Sequence, residues 1–526
     1  MRSVKEVREL LDRERLFHRK LFAERRSADL CAAFPGRVAV VLSGGGARGA
    51  YEAGALLAFQ DAGLRTHIIT AASIGSVNAA SYAAHSATLV GNAEPLVESW
   101  LRLTSPAVGI EWTRYMFVLG GFLAAMTGLG NLFSDWLGRQ GIVLIHLHRP
   151  GLTWSFLALA GASVLFLHDR MPYLGRVLAD LLRDGRCKPD VRKLALSLFA
   201  NLVVCSFLWI VVSPAHLHLS FGNLILRHPR LAAAASAAVL ASWLAWRRIR
   251  SQVSLLSHLL LRLPLRSGLF PNDERTRFLR EHIPTESLRR SPIRVVMATT
   301  DLRKGSERFF TNASQAELSA EPGANAAFVA AEMEPAKDLI QALLASSALP
   351  LVYEAVSMNG GLYTDGGIVV NQPVRPAVNL GADVLFLVVP HALDDKEATI
   401  HTFLDLGLRS IEIMMAHNLR TDSRILVAMN GLCERFAAEL GVRPEQVLID
   451  LGNRSYRYLK LFTLRPSAPL GLGKLDFDGR GLGPAIVQGY ADGCKSVLAF
   501  LEYAVQAPIS APRRVVSLSA SGLLAS

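Results

Sequence analysis

Arg37-Val38-Ala39-Val40-Val41-Leu42-Ser43, running straight into Gly44-Gly45-Gly46-Ala47-Arg48-Gly49, is the stretch on which the fold turns. Val38 to Leu42 is a short apolar run, mostly β-branched and ending in glycines, and predicts a buried strand. The glycines predict a turn. A helix should follow from about Ala50 to Ala62, with Tyr51, Ala55, Ala58 and Phe59 on one face and Gly63 at its end. His67 to Thr70 reads as the next strand, Ala71 to Ser73 as a second sharp turn, and the small residues up to about His85 as a helix able to pack close on a sheet. Far downstream, Ile293 to Ala298 and Asp383 to Val389 are further buried strands, separated by a helical stretch from Pro335 to Ser347. Strand, turn and helix repeated in this way predict a layered α/β domain.

Three motifs carry chemistry. In the glycine loop, residues without side chains let backbone N–H groups converge on an anion at a helix N-terminus, where the dipole also favours negative charge. The same Gly-x-Gly-x-x-Gly pattern is a dinucleotide fingerprint, but that site wants an acid at the end of the second strand. Here the strand ends Thr70-Ala71-Ala72-Ser73, and the serine argues for acyl chemistry. Ala71-Ala72-Ser73-Ile74-Gly75 fits a nucleophile elbow, in which a strained turn projects the hydroxyl beyond the sheet. By itself the pentapeptide fits equally a serine capping the following helix. Asp365-Gly366-Gly367 is first of all a turn signal. Its surroundings alter that reading: Gly360-Gly361-Leu362-Tyr363-Thr364 before it, Asn371-Gln372-Pro373 after it, and upstream Ala345-Ser346-Ser347-Ala348-Leu349-Pro350 and Ala298-Thr299-Thr300-Asp301-Leu302.

Taken in this order, the motifs resemble those of the patatin-like phospholipase family over about Arg37 to Asn78 and Ile293 to Val389. The resemblance implies a patatin-like three-layer α/β/α domain with a mainly parallel central sheet. It implies Ser73 as nucleophile, Asp365 as general base, and Gly44, Gly45, Gly46 and Arg48 as the oxyanion site, with Gly49, Gly75, Gly366 and Gly367 supporting the motifs. The activity implied is that of a serine lipid acyl hydrolase working through a Ser-Asp dyad, without metal or cofactor. A triad with His391 is the other arrangement compatible with the chain order Ser, Asp, His. Ala71 stands where the elbow usually has glycine, and a backbone needing positive φ there would cost on the order of 1 kcal/mol or more. It is the one residue favouring the alternative, a membrane scaffold with a degenerate, inactive domain.

Composition extends the reading to membranes. The 526 residues are 51% hydrophobic and 19% charged, with a net charge of +12. That is richer in apolar residues than a typical soluble protein and attracted to anionic surfaces. No aromatic-interleaved basic patch points to nucleic acid, so the expected partners are membrane lipids, as substrate and as surface. The five cysteines are odd in number and scattered, which predicts neither a disulfide framework nor a zinc site.

The expected organisation has five parts. Residues 1–30 form a charged amphipathic helix with no apolar run of the kind a secretory signal needs. Residues 31–110 and 255–395 are the two halves of the catalytic domain, and 396–526 is a helical region with a loose tail. Between the halves, 111–254 is a hydrophobic insertion with four uncharged runs, Tyr115–Ser134, Gly151–Leu167, Leu194–Phe221 and Leu231–Trp246. A bilayer span needs about 20 apolar residues. Ser73 precedes the insertion and Asp365 follows it, so the number of spans must be even for the two to meet. Basic residues concentrate between Arg170 and Lys193. Under the positive-inside rule they place that loop and the catalytic domain together in the cytoplasm of a multi-pass protein.

Overall fold

The computed structural model describes residues 4–108, 270, 272–392, 403–450, 455–477, 481–506 and 514–517. Residues 1–110 and 264–526 make up one compact unit, and 111–263 a second that lies outside the described residues. The four apolar runs of the expected insertion fall there. Among the described residues no helix is long and apolar enough to cross a membrane.

The opening stretch folds as its pattern requires. β1 (Val38–Leu42) is buried along its whole length, as only a central strand covered on both faces can be. It pairs in parallel with β2 (Ile68–Ala72) on one side and with β8 (Val384–Val388) on the other. β3 (Arg294–Asp301) continues the sheet in parallel beyond β2. Antiparallel to β3 come β4 (Ser306–Thr311) and β7 (Gly361–Asp365); β5 (Met333–Pro335) pairs with β4, and β6 (Val356–Met358) with β7. The far edge is β11 (Lys460–Leu464), parallel to β8. A separate small sheet joins β9 (Val447–Asp450), β10 (Ser455–Arg457) and β12 (Arg514–Ser517).

Alternation along the strands makes two cores. Ala39, Val41, Leu385 and Leu387 face one side, where they cluster with Val374 and Ala377 of the helix Val374–Asn379 and with Phe309, Leu318 and Phe328. On the other side Phe386 meets Phe59 of the helix Gly49–Asp61 and Phe500 of the helix Leu482–Gln506, at ring distances of 5.0 and 5.6 Å. Those two helices cross with almost no side-chain spacing: a Cβ on Gly54 would lie 2.0 Å from the Ile486 carbonyl oxygen. The result is three layers, helix, mainly parallel sheet, helix.

Register also sets the site. On a single edge of β3, Ala298 is paired with Ala72, the last residue of β2, and the next residue, Thr299, is paired with Asp365, the last of β7. β2 and β7 run in opposite senses and end against one another. The residue after Ala72 is Ser73.

Several expectations need correction. β2 extends to Ala72 rather than Thr70, so the second turn shrinks to Ser73 itself. The helix expected from Pro335 begins at Leu339, because the Asp338 carboxylate accepts from the Ile340 and Gln341 amides and starts it there. The region 396–526 is helical over Phe403–Leu440 and Leu482–Gln506 but also contributes β9 to β12. One of these, β11, completes the central sheet, with Phe462 stacked on Phe386. The α/β layers therefore do not end at 395, and part of the tail, Arg514–Ser517, is the strand β12. The N-terminal helix spans Val4–Glu24, buries Val7, Leu11 and Phe22, and is tied by Arg15 to Asp61.

Candidate active site

Ser73 sits between β2 and the helix Ile74–Ala84 with φ 54° and ψ −132°, a strained conformation for a non-glycine residue. Strain of this kind is what an elbow needs to aim a hydroxyl past the sheet. Ala71 lies inside β2, paired with Leu42 and Met297, and is not among the residues of positive φ. The penalty considered for alanine at that position therefore does not arise. Gly75 is needed for proximity: a Cβ there would be 2.9 Å from the Leu42 Cβ and 3.1 Å from its carbonyl oxygen, so the helix could not start so close to β1.

The Ser73 Oγ donates to Asp365 Oδ2 at 2.6 Å. Asp365 is fully buried, and its other oxygen, Oδ1, accepts from the Gly367 amide at 2.8 Å. Burial pushes its carboxyl up to about 6, against the lowering effects of the Ser73 and Gly367 hydrogen bonds and of the Lys474 and Arg275 charges. The two upstream sequence runs turn out to be its mounting. Thr300 Oγ1 donates to the Asp365 carbonyl at 2.8 Å, and the Ala348 carbonyl accepts the Asp365 amide at 3.1 Å. Ser346 donates to the Ala298 carbonyl and shares a 2.7 Å hydrogen bond with Ser76 of the elbow helix. Gly366 packs directly over Ala298.

The glycine loop lies next to Ser73. The Gly44 amide is held by Asn371 Oδ1 at 3.0 Å, the Ala47 amide by the Lys474 carbonyl at 2.8 Å, and the Arg48 amide by the Gly45 carbonyl at 3.3 Å. Among the described residues, nothing accepts from the amides of Gly45 and Gly46, and both residues line the pocket with Ser73. Gly46 has φ +59°, and a Cβ there would come within 2.2 Å of the Lys474 carbonyl oxygen, so glycine is required on both counts. Arg48 sends its guanidinium to the Leu472 carbonyl at 3.0 Å and to Glu412 at 3.5 Å, which ties the loop to the segment Leu472–Phe477. Gly49 packs on Ile74 at the start of the elbow helix. Beneath it, Asn78 bridges the Gly49 carbonyl and Glu52, whose carboxyl burial pushes well above the usual range.

His391 is elsewhere. It lies by Gly45, whose Cβ would be 3.7 Å from its Cε1. Burial, with the Arg48 and Lys474 charges, pushes its imidazole down to about 3. Among the described residues neither Ser73 nor Asp365 bonds a histidine.

A pocket opens on Ser73. Its wall is mainly apolar, with Ile74, Val77, Leu279, Leu349 and Phe477, and two cations, Arg275 and Lys474, line it as well. Met415, on the helix Phe403–Leu440, also lines the pocket and reaches over Gly44 and Gly367. The sequence pattern marked the dyad, the glycine loop and the Asn371 run. It gave no signal for Arg275, Met415 or Lys474, which come from segments without a motif.

The fold is that of a layered α/β protein with a mainly parallel central sheet. The profile of the patatin-like phospholipases matches residues 40–142 and 185–378, more than half of the chain, and the chain belongs to that family. Among solved structures, VipD from Legionella pneumophila is 13% identical over 88% of this chain and 67% of that one, with a TM-score of 0.30, too weak a likeness to carry an argument. No curated protein matches the chain.

Proposed function

We propose that the protein hydrolyses lipid acyl esters with Ser73 as nucleophile, Asp365 as its general base, and the Gly45 and Gly46 amides as oxyanion donors. The observation that carries this reading is the 2.6 Å hydrogen bond from Ser73 Oγ to Asp365 Oδ2 in a buried pair beside two amides that have no acceptor among the described residues. As the Ser73 oxygen attacks the ester carbonyl, its proton passes to Asp365 and the carbonyl oxygen gains negative charge facing the two amides. Collapse of the tetrahedral intermediate breaks the bond to the alcohol, which takes the proton from Asp365. Water then attacks the acyl-Ser73 ester, giving its proton to Asp365, and the fatty acid leaves as Ser73 recovers its own.

The test is release of fatty acid from phospholipid and of nitrophenol from short nitrophenyl esters. Ser73→Ala and Asp365→Asn should each remove nearly all turnover in folded protein. Wild-type rates in both variants would refute the assignment. The scaffold alternative rested on Ala71, and the regular strand geometry at that residue removes its support.

Membrane lipids would be both substrate and surface, with the insertion 111–254 integral to the bilayer and the catalytic unit on the cytoplasmic side. The length of the apolar runs and the basic residues between Arg170 and Lys193 support this part of the reading. Retention in the pellet after carbonate extraction is expected; release into the supernatant would contradict it.

A further inference from the structure

Arg275 makes no hydrogen bond to Ser73 or Asp365, yet it is 6% exposed and lines the same pocket as Ser73. It comes from the helix Asp273–His282 and reaches the segment that carries the base. Its Nη2 donates to the Ser347 carbonyl at 2.9 Å, to the Leu344 carbonyl at 3.4 Å and to the Ser347 hydroxyl. Nη1 donates to Asn272 Oδ1 at 2.7 Å, and the guanidinium lies over the Tyr353 ring at 4.0 Å. Ser347 is followed by Ala348, whose carbonyl holds the Asp365 amide, so Arg275 is mounted one residue from the dyad's own support.

Every one of these partners is neutral. Among the described residues no carboxylate pairs with Arg275 at salt-bridge distance. A guanidinium has five N–H donors. Nη2 is fully used and Nη1 has one acceptor, which leaves Nε–H and one Nη1–H without an acceptor among the described residues. Removing a charge from water is unfavourable unless a counter-charge meets it, so buried arginines are normally paired. Here the packing fixes the group in place by neutral hydrogen bonds, and the Asp365 carboxylate acts on its charge only from beyond salt-bridge distance. Lys474, the other cation of the pocket, is different: its ammonium lies 3.8 Å from Glu412.

We propose that Arg275 is a specificity-determining residue that binds an anionic group of the substrate, a phosphate or a carboxylate, while the acyl chain lies against Ile74, Val77 and Leu279. The proposal rests on Ser73 being the nucleophile of this pocket. The charge on the substrate would then fix which ester is presented to Ser73, because a guanidinium orients an oxyanion through directional hydrogen bonds. An anionic acyl ester is favoured over a neutral glyceride with the same chain.

Binding to the purified full chain tests this independently of turnover, by calorimetry with octyl phosphate, octanoate and octanol. Tighter binding of at least one anion than of octanol by tenfold or more is expected, and the two anions separate phosphate from carboxylate recognition. In Arg275→Met that preference should fall at least tenfold, and in Arg275→Lys it should be partly restored. Equal binding of all three compounds by the wild-type protein overturns the proposal even if no variant folds. A preference for the anions that survives in folded Arg275→Met overturns it too. Hydrolysis of nitrophenyl butyrate, measured alongside, reports on the nucleophile assignment alone. If that activity is absent while the anion preference holds, the catalytic reading fails and the anion site stands.

Discussion

Ser73 and Asp365 lie 292 residues apart in the chain and are joined by a 2.6 Å hydrogen bond. The contact follows from sheet register, since β2 and β7 end against one another at Ala298 and Thr299 of β3. The strand that sets this register, β3, lies between the two residues in sequence and follows residues 111–254 in the chain.

The first prediction concerns pH. Asp365 must be ionised to take the Ser73 proton, and burial raises its carboxyl to about 6. The value of kcat/KM should therefore be low below that pH, rise through it, and level off above it. A profile that is flat from pH 5 to 8 would contradict the assignment of Asp365 as base.

Lys474 stabilises the charged form of Asp365. Removing that charge in Lys474→Met should move the acid limb of the same profile to higher pH, and Lys474→Arg should move it back. A purely structural role would lower the rate at every pH without displacing the limb.

Gly46 combines positive φ with contact against the Lys474 carbonyl. Gly46→Ala should cost about 1–3 kcal/mol of stability from backbone strain. Displacing an oxyanion donor should also lower kcat about 100-fold or more. Thermal unfolding and steady-state rates on one preparation check both parts.

His391 lies by the glycine loop and is held uncharged by burial and neighbouring cations. His391→Ala should keep most of the activity. A fall of about 100-fold in a folded variant, the usual size for loss of a general base, would favour the triad instead.

What was legible in the sequence was what local signals encode. The run Val38–Leu42, the glycines after it, Ser73 at a strand end and Asp365 in its glycine-flanked turn each carry their meaning within a few residues. The uncertainty over Ala71 came from not knowing which residue of the elbow carries the positive φ, and it is Ser73 itself. β11 was missed because Lys460–Leu464 is short and becomes a strand only by docking on β8. Arg275 and Lys474 were missed for a related reason. An arginine in a helix rich in charge reads as solvated surface until packing buries it, and Lys474 gains its meaning only where its carbonyl meets the glycine loop.

The most direct test of the central claim is to treat the protein with a fluorophosphonate, which is attacked by an activated serine, and to locate the adduct by peptide mass. One equivalent on the peptide containing Ser73, lost in Ser73→Ala and much slower to form in Asp365→Asn, is the predicted result. Ester hydrolysis that continues at full rate with Ser73 unmodified, or an adduct on a different residue that abolishes it, would contradict the account.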